Sequence, residues 1–337
     1  MVICNQQSCP RLCKSLYASL GAKKRRHWRR FFKVRGSMTQ CLKPFKTYEE
    51  QIAILKSRRL EITDESFAIQ ILSQVNYYRF SGYAFLRQDK TSSDQRFFPG
   101  TSFENIYALY EFDQRMRNIV LKYLEIIEVL ARTRIAYYFS EQHQNENNDC
   151  HYLPEHFSDL VRHEGIIERL NEQIARNKEV PFVKKHIECY GNRMPLWVAV
   201  EILSFSSVSQ LYSIMLSSDQ HLISKSMGHT PFYLQNWLHV LSVLRNRCAH
   251  YGRLYGVTIA PPIQLPLAMK QKYPAVRNNT LFAAICIICK LLPDSMRANE
   301  LIDCINDLIV EYETRIDMKE LSFPINWKTV LRQMQSK

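Results

Sequence analysis

Glycine and proline are scarce in this sequence. Nine glycines and thirteen prolines among 337 residues leave little material for a glycine-rich phosphate-binding loop or a long flexible linker. The ten cysteines form no disulfide-type pattern in a chain of this length. Cys286 and Cys289 make one CxxC without a second pair, which favours buried thiols over zinc ligands. The scarcity of glycine argues against a phosphate-loop protein, and the cysteine pattern argues against a disulfide-bonded secreted domain.

Long apolar runs are missing as well. No apolar stretch reaches the roughly 18 residues that a membrane-spanning helix needs, and the uncharged segment 202–218 is rich in serine. The basic N-terminal run is not followed by the apolar segment and small-residue cleavage site of a secretory signal. We therefore expect a cytoplasmic, reduced protein that does not bind a membrane.

Acidic residues are absent from positions 1–37. This segment carries ten Lys and Arg residues, which leaves 35 bases against 32 acids in the rest of the chain. Trp28, Phe31 and Phe32 lie among the bases, so the segment could grip a polyanion through charge and stacking. Met38 offers a second start, however, and we favour the interpretation that residues 1–40 are a basic, disordered tail upstream of the protein proper.

What the sequence does contain is helical periodicity. Apolar residues recur every three or four positions through most of the chain after this tail. Residues 102–139 contain no glycine or proline and predict one long helix or two nearly collinear ones. The pattern also predicts a helix over 231–251 that stops at Gly252. No strand pattern recurs, so we predict an all-α helical bundle. Its expected parts are an N-terminal helical region over 41–100, a helical domain over 101–316 and a C-terminal segment over 317–337.

The stretch WLHVLSVLRNRCAHYGRLYG, residues 237–256, places three polar groups on the last two turns of an apolar helix. Asn246 and His250 are four positions apart, so they share a face and can hydrogen-bond. His250 lies in the final turn, where the helix dipole favours an imidazolium and hence a proton donor near neutral pH. Arg245 stays charged and offers a planar fork that suits phosphate oxygens. The structural alternative is a polar pair that caps a helix end.

An arginine fork and a titratable imidazole without metal ligands suit cleavage of RNA by its own 2′-hydroxyl. This reaction deprotonates the hydroxyl, stabilises a pentacovalent phosphate and protonates the departing 5′-oxygen. One imidazole can hardly carry both proton transfers at opposite ends of an in-line displacement. Two copies of the helix facing each other across a two-fold axis would supply two imidazoles. The chemistry therefore predicts a homodimer with a composite site, no metal ion and no cofactor.

The residues around this pair carry a family resemblance. LRNRCAHYGRLYG resembles the RN-x-x-AH-x-x-RL signature of the HEPN superfamily, in the form found in Abi-like abortive-infection proteins of the AbiD/AbiF type. Further blocks are similar to that family in the same order: KPFKTYEEQIAILKSRRLEITD, VNYYRFSGY, FENIYALYEFDQRMRNIVLKYLEIIEVLARTRIA, EILSFSSVSQLYSIM and LSFPINWKTVL. The resemblance covers about 41–335. It departs at Tyr251 and Gly256, where many relatives have histidine and asparagine.

The resemblance implies a HEPN-type helical bundle that acts as a dimeric, metal-independent endoribonuclease on RNA. By position, Arg245 and His250 would be the catalytic pair, with Asn246 supporting them. The resemblance further implies a toxin of phage defence that is restrained by a small non-coding RNA or a protein antitoxin. The alternative from another class is a non-catalytic HEPN module that binds RNA or neutralises a partner, as an antitoxin does.

Residues outside the motif helix are candidates for binding RNA. In NYYRFSGY, Tyr78 and Arg79 could hold single-stranded RNA by stacking and charge. Aromatic residues at helical spacing more often pack in a core, however, and that alternative stays open. Arg253, just after the motif helix, could contact a phosphate or be solvated.

Two further patterns bear on the site. Glu128 and Arg132 form an i, i+4 ion pair, and we interpret this pair as a row beside the motif helix that orients Arg245. The segment HYLPEH, residues 151–156, resembles a zinc site superficially. Pro154 would break the helix that such a site requires, so we predict no metal ligands there.

Overall fold

The computed structural model describes residues 42–92, 94–146 and 148–335. The chain divides into two units, Met1–Thr47 and Tyr48–Lys337. In the first unit, residues 42–47 have no regular secondary structure, and the basic tail expected at 1–40 lies outside the described residues. The second unit holds all the helices introduced below.

The described residues form fifteen α-helices and no β-strand, which confirms the all-α prediction. Within these ranges, no helix has both the length and the hydrophobicity of a membrane-spanning segment. In chain order the α-helices are α1 Tyr48–Ser57, α2 Glu65–Gln74, α3 Tyr77–Ala84, α4 Phe103–Gln142, α5 Leu160–Arg176, α6 Pro181–Tyr190, α7 Leu196–Ile202, α8 Phe205–Ile214, α9 Ser217–Ser226, α10 Pro231–Ala249, α11 Leu267–Lys272, α12 Leu281–Leu291, α13 Ser295–Glu311, α14 Met318–Leu321 and α15 Trp327–Met334. Short 3-10 turns are formed by Phe85–Arg87, Cys150–Tyr152 and Pro154–His156.

The longest element, α4, is one uninterrupted helix of 40 residues, about 60 Å long. It begins at Ser102, whose hydroxyl accepts a hydrogen bond from the backbone N–H of Asn105 at 3.2 Å. It continues because no glycine or proline interrupts its sequence,. Helices α3, α7, α8, α9, α10, α12 and α13 pack against it. Helix α4 is thus the common support of the fold.

Helix α10 packs against both α4 and α8 because one of its faces is apolar. Its buried side chains recur at helical spacing and include Leu234, Trp237, Leu238, Leu241 and Leu244. Pro231 occupies the first position, where a missing backbone N–H is tolerated. The indole N–H of Trp237 donates to the Gln264 carbonyl at 2.8 Å. The helix ends at Ala249, two residues before the expected 251, and His250 is its capping residue.

The N-terminal helices join the same core. The rings of Phe80 in α3 and Phe103 in α4 stack with centroids 4.4 Å apart, and both side chains are fully buried. Near the C-terminus, α15 packs on α12 and α13. Helices from the segments 41–100, 101–316 and 317–337 all contribute to one hydrophobic core, and the division of the chain at these boundaries stays a prediction.

Phe103→Ala tests how much the aromatic contact between α3 and α4 contributes to stability. Removing a fully buried phenyl ring leaves a cavity, and we expect the free energy of unfolding to fall by about 3–5 kcal/mol. Urea unfolding followed by circular dichroism measures this loss. Phe232→Ala is the control, since Phe232 is 63% exposed, and it should move the urea midpoint little. Equal losses in the two variants would contradict this packing.

Candidate functional site

Two backbone hydrogen bonds end α10 and reverse the chain. The Gly252 N–H donates to the Arg247 carbonyl at 2.7 Å, and the Tyr251 N–H donates to the Cys248 carbonyl at 3.1 Å, which together form a Schellman motif. Tyr251 adopts the left-handed conformation with φ 59°, at a cost of about 1–2 kcal/mol for a residue other than glycine. A Cβ on Gly252 would lie 2.7 Å from Cγ of Arg247, so glycine is required there.

Arg245 is held by a buried carboxylate on α4. Its Nε donates to Glu128 Oε2 at 3.0 Å, and the side chain of Glu128 is 11% exposed against 38% for Arg245. Among the described residues, Arg245 has no second hydrogen-bond partner, so both of its terminal amino groups remain available. The pair therefore orients the guanidinium and leaves its fork for an anion.

Arg132 supports Glu128 from the other side. Its Nη2 donates to Glu128 Oε1, while its Nη1 donates to the carbonyl of Leu203 at 2.7 Å and to that of Val200. These carbonyls belong to the C-terminal end of α7, where a helix leaves such groups without internal partners. The structure thus brings Arg132, Glu128 and Arg245 into one row that joins α7, α4 and α10.

The His250 side chain is exposed at the C-terminal end of α10. Its backbone N–H donates to the Asn246 carbonyl at 2.9 Å, and no hydrogen bond to its ring is made by the part of the chain that the structure describes. The side chain of Asn246 turns to α8, where its Nδ2 donates to Ser206 Oγ at 3.2 Å. The side-chain bond between Asn246 and His250 that their spacing allows is not made, and the Asn246 amide bonds to Ser206 instead.

Helix α3 lies against the turn after α10, so the NYYRFSGY block borders the site. Arg79 Nη1 donates to the Tyr251 carbonyl at 2.8 Å. Tyr78 is 86% exposed, whereas Phe80 and Tyr83 are buried in the core. The aromatic residues of this block therefore divide, with one ring open to solvent and others packed inside. The RNA-binding roles of Tyr78 and Arg79 stay predictions.

Arg253 joins the same helix to the segment after the turn. It donates to the Gly82 carbonyl, and its guanidinium lies 5.8 Å from the centre of the Tyr83 ring. A cation at this distance from an aromatic face is attracted to it. Arg253 therefore links α3 to the segment that follows α10. This role is neither of the two that the sequence suggested, which were a phosphate contact and solvation. Its contact with phosphate stays a prediction.

A buried acid on α4, Asp113, holds the residues that follow the turn. Its side chain is fully buried and accepts hydrogen bonds from the backbone N–H groups of Leu254 at 3.0 Å and Tyr255 at 2.7 Å. The Tyr83 hydroxyl also donates to it, at 2.7 Å, and so does the Arg117 guanidinium. Burial raises the pKa of the Asp113 carboxyl, and these four donors oppose the rise because they favour the carboxylate,.

Nothing in the motif itself points to Asp113 or Arg117. The two residues are four positions apart on α4, among the buried positions Phe112, Met116 and Val120. An acid and a base at this spacing on the apolar face of a long helix have to be buried together. That coincidence is the signal by which the sequence could have identified them.

Asp113→Ala should destabilise the protein strongly, because it leaves Arg117 buried without its partner. Removing one member of a buried ion pair costs about 3–5 kcal/mol of the free energy of unfolding, and urea unfolding measures it. Glu311→Ala is the matched control. It breaks an exposed ion pair with Arg115, which lies on α4 as Asp113 does, and it should leave the urea midpoint unchanged. If the two variants lose the same stability, Asp113 does not have the role described.

The Abi-like protein family model matches residues 70–256. This range runs from α2 to the turn after α10 and includes Asp113, Glu128, Arg245 and His250. Comparison with curated proteins found no match, and comparison with solved structures found none. The matched range is more than half of the chain, and it suggests a role in abortive infection, a form of phage defence. The chain belongs to the Abi-like protein family.

Proposed function

We propose that this protein is a metal-independent endoribonuclease of the HEPN superfamily that acts as a toxin in phage defence. The observation that carries the proposal is the end of α10, where the exposed His250 follows an Arg245 guanidinium that a buried carboxylate orients. RNA is the proposed partner, in the cytoplasm. The proposed restraint on this activity is a small non-coding RNA or a protein antitoxin.

The proposed reaction divides the work between imidazole and guanidinium. The 2′-oxygen of the RNA attacks the phosphorus, and the bond between phosphorus and the 5′-oxygen breaks. One His250 takes the proton of the 2′-hydroxyl, and the protonated His250 of the second copy gives its proton to the 5′-oxygen. The terminal amino groups of Arg245 stabilise the charge on the non-bridging oxygens. The products carry a 2′,3′-cyclic phosphate and a 5′-hydroxyl.

Other residues position this pair and the RNA. Glu128, itself held by Arg132, fixes the Arg245 guanidinium through its Nε and leaves the terminal amino groups for the phosphate. Asn246 supports the pair indirectly, since its bond to Ser206 fastens α10 to α8. The edge formed by α3 would receive the RNA strand: an exposed aromatic ring there can stack on a base, and nearby guanidinium groups can meet phosphates. The residues of this proposed edge are Tyr78, Arg79 and Arg253.

A second copy of the chain is part of the proposal because one chain offers one His250. The elements around the site also expose large apolar side chains. These belong to α3, α4, α7 and the turn after α10, and they are Tyr78, Val129, Trp197 and Tyr251. We propose that a second copy, the partner that would complete the reaction, covers these exposed groups.

His250→Ala and Arg245→Ala should each abolish RNA cleavage and the growth arrest caused by expression. Losing a general acid–base or the charge on the phosphate lowers the rate by about 10²–10⁴-fold. Initial rates on single-stranded RNA and growth after induction measure the two effects. The controls are His186→Ala and Arg176→Ala, which remove a half-buried imidazole and an exposed guanidinium elsewhere and should change neither.

The same assays separate the rival functions. Cleavage should continue in EDTA at a temperature where the chain stays folded, and the new RNA ends should be cyclic phosphates and 5′-hydroxyls. If both site variants stay as toxic as the parent, the Arg245–His250 assignment is wrong. A non-catalytic HEPN module would bind RNA and create no new ends.

Because the proposed site is shared by two chains, inactive chains should inhibit active ones by forming mixed dimers. Light scattering should give twice the 39.8 kDa mass of the chain. An excess of His250→Ala chains, mixed with the parent and allowed to exchange, should suppress the parent's cleavage, because mixed dimers hold a single imidazole. The same excess of His186→Ala chains should suppress nothing. Full cleavage by a monomer, or full cleavage in the mixture after exchange, would overturn the shared site.

A further inference from the structure

A second cluster of reactive side chains lies at the far end of α4, away from Arg245. His143 caps the C-terminus of this helix, and Glu146 follows in the loop. His156 closes the 3-10 turn Pro154–His156. Asp219 stands in the first turn of α9. Four ionisable groups from three parts of the chain therefore meet at one place.

The donor atoms of three of these residues are arranged as metal ligands are. His143 Nδ1 lies 3.1 Å from Glu146 Oε1, and His156 Nε2 lies 2.9 Å from Glu146 Oε2. One ligand atom from each of the three residues lies within 4.8 Å of the other two. Ligands at about 2.0–2.1 Å from a tetrahedral Zn²⁺ are separated by about 3.3 Å. Small side-chain adjustments would bring these atoms to that spacing.

The carboxylate of Asp219 lies behind His143, on the side away from Glu146. A cluster held only by hydrogen bonds to Glu146 would not need this second carboxylate. Asp219 is 1% exposed, and its Oδ1 lies 3.2 Å from His143 Nε2. Its other oxygen, Oδ2, is buried and has no hydrogen-bond partner among the described residues. A carboxylate that accepts the Nε2–H of His143 leaves the Nδ1 lone pair directed at Glu146. Metal-binding histidines usually have such a carboxylate or carbonyl behind them, because it fixes the tautomer and raises the basicity of the ring.

The surroundings suit a bound cation with one open coordination position. The carbonyls at the C-terminus of α4 present partial negative charge. The side chain of His156 is 10% exposed and that of Glu146 is 43% exposed, so the cluster is sheltered on one side and reachable from solvent on the other. The aromatic ring of Phe139 lies beside both imidazoles. Apolar walls of this kind strengthen the attraction between a metal ion and its charged ligands.

We propose that His143 Nδ1, the Glu146 carboxylate and His156 Nε2 bind one Zn²⁺ ion, with Asp219 as the carboxylate behind His143. Two imidazoles and a carboxylate are a ligand set that zinc accepts. The site lies about 21 Å from Glu128 along α4, so the ion takes no part in chemistry at Arg245. The bound ion fastens the connection between α4 and α5 to the end of α4.

The zinc site differs from the one considered for HYLPEH in the sequence. Pro154 does prevent a helix there, since the segment forms two short 3-10 turns. The proposed ligands need no common helix, because two of them precede the segment and only His156 belongs to it. His151, the other histidine of HYLPEH, is not part of the cluster.

Titration of the full-length protein with Zn²⁺ alone tests the proposal. After removal of metal with a chelator, the protein should bind one Zn²⁺ per chain, measured by elemental analysis and by competition with a chromophoric chelator. Zn²⁺ at about 100 times its dissociation constant should raise the midpoint of thermal unfolding by about 5 °C. Co²⁺ in its place should show the intense visible absorption of a four-coordinate ion.

Variants assign the binding to these residues. Glu146→Gln and His156→Ala should weaken Zn²⁺ binding by about 100-fold or more, and Asp219→Asn by about 10–100-fold. The control His186→Ala removes a half-buried histidine on α6 that is not part of the cluster, and this variant should bind as the parent does. Circular dichroism monitors folding, and if His156→Ala does not fold, the exposed Glu146→Gln decides the assignment.

Two results would overturn the proposal. If the metal-free parent takes up no Zn²⁺ and its unfolding midpoint does not move, the cluster is only a glutamate hydrogen-bonded to two histidine rings. If Glu146→Gln binds Zn²⁺ as tightly as the parent, the ion is held elsewhere. Both results rest on metal content and thermal stability, so they are independent of whether the protein cleaves RNA.

Discussion

The candidate site depends on the buried carboxylate of Asp113, which binds several parts of the chain at once. A charge withdrawn from water is tolerated only when donors surround it. Asp113 obtains its donors from Tyr83 in α3, from Arg117 in α4 and from the backbone of Leu254 and Tyr255. Three parts of the chain that are distant in sequence are therefore joined at a single carboxyl group. The segment after α10 cannot shift without taking two of the four donors away from a buried carboxylate.

Glu128 is a second attachment point, about 22 Å further along α4. It binds Arg245, whereas Asp113 binds Leu254, so the chain that contains His250 runs between two points of the same long helix. The His250 ring bonds to none of the described residues. A supported backbone that presents an unengaged imidazole is the arrangement that general acid–base catalysis uses. It combines a defined position with a ring free to exchange protons with a substrate.

Helix α4 also separates two kinds of chemistry. Its middle and N-terminal parts hold the guanidinium and the turn of the proposed cleavage site, while its C-terminus carries the histidine cluster. The proposed metal-independent cleavage and the proposed zinc site can coexist because the helix keeps them apart. The uninterrupted length of α4, with no glycine or proline, is what makes this separation possible.

The sequence by itself determined the all-α fold and the presence of Arg245, Asn246 and His250 at the end of one helix, but it left open whether residues 102–139 form one helix or two. Periodicity, helix breakers and spacing are local properties, so they can be obtained from neighbouring residues. Only the tertiary structure decided which groups these side chains meet. Asn246 bonds to Ser206 rather than to His250, and Asp113 became part of the site, because such contacts join residues that are far apart in the chain. Their geometry depends on how helices pack against one another, which no single helix contains.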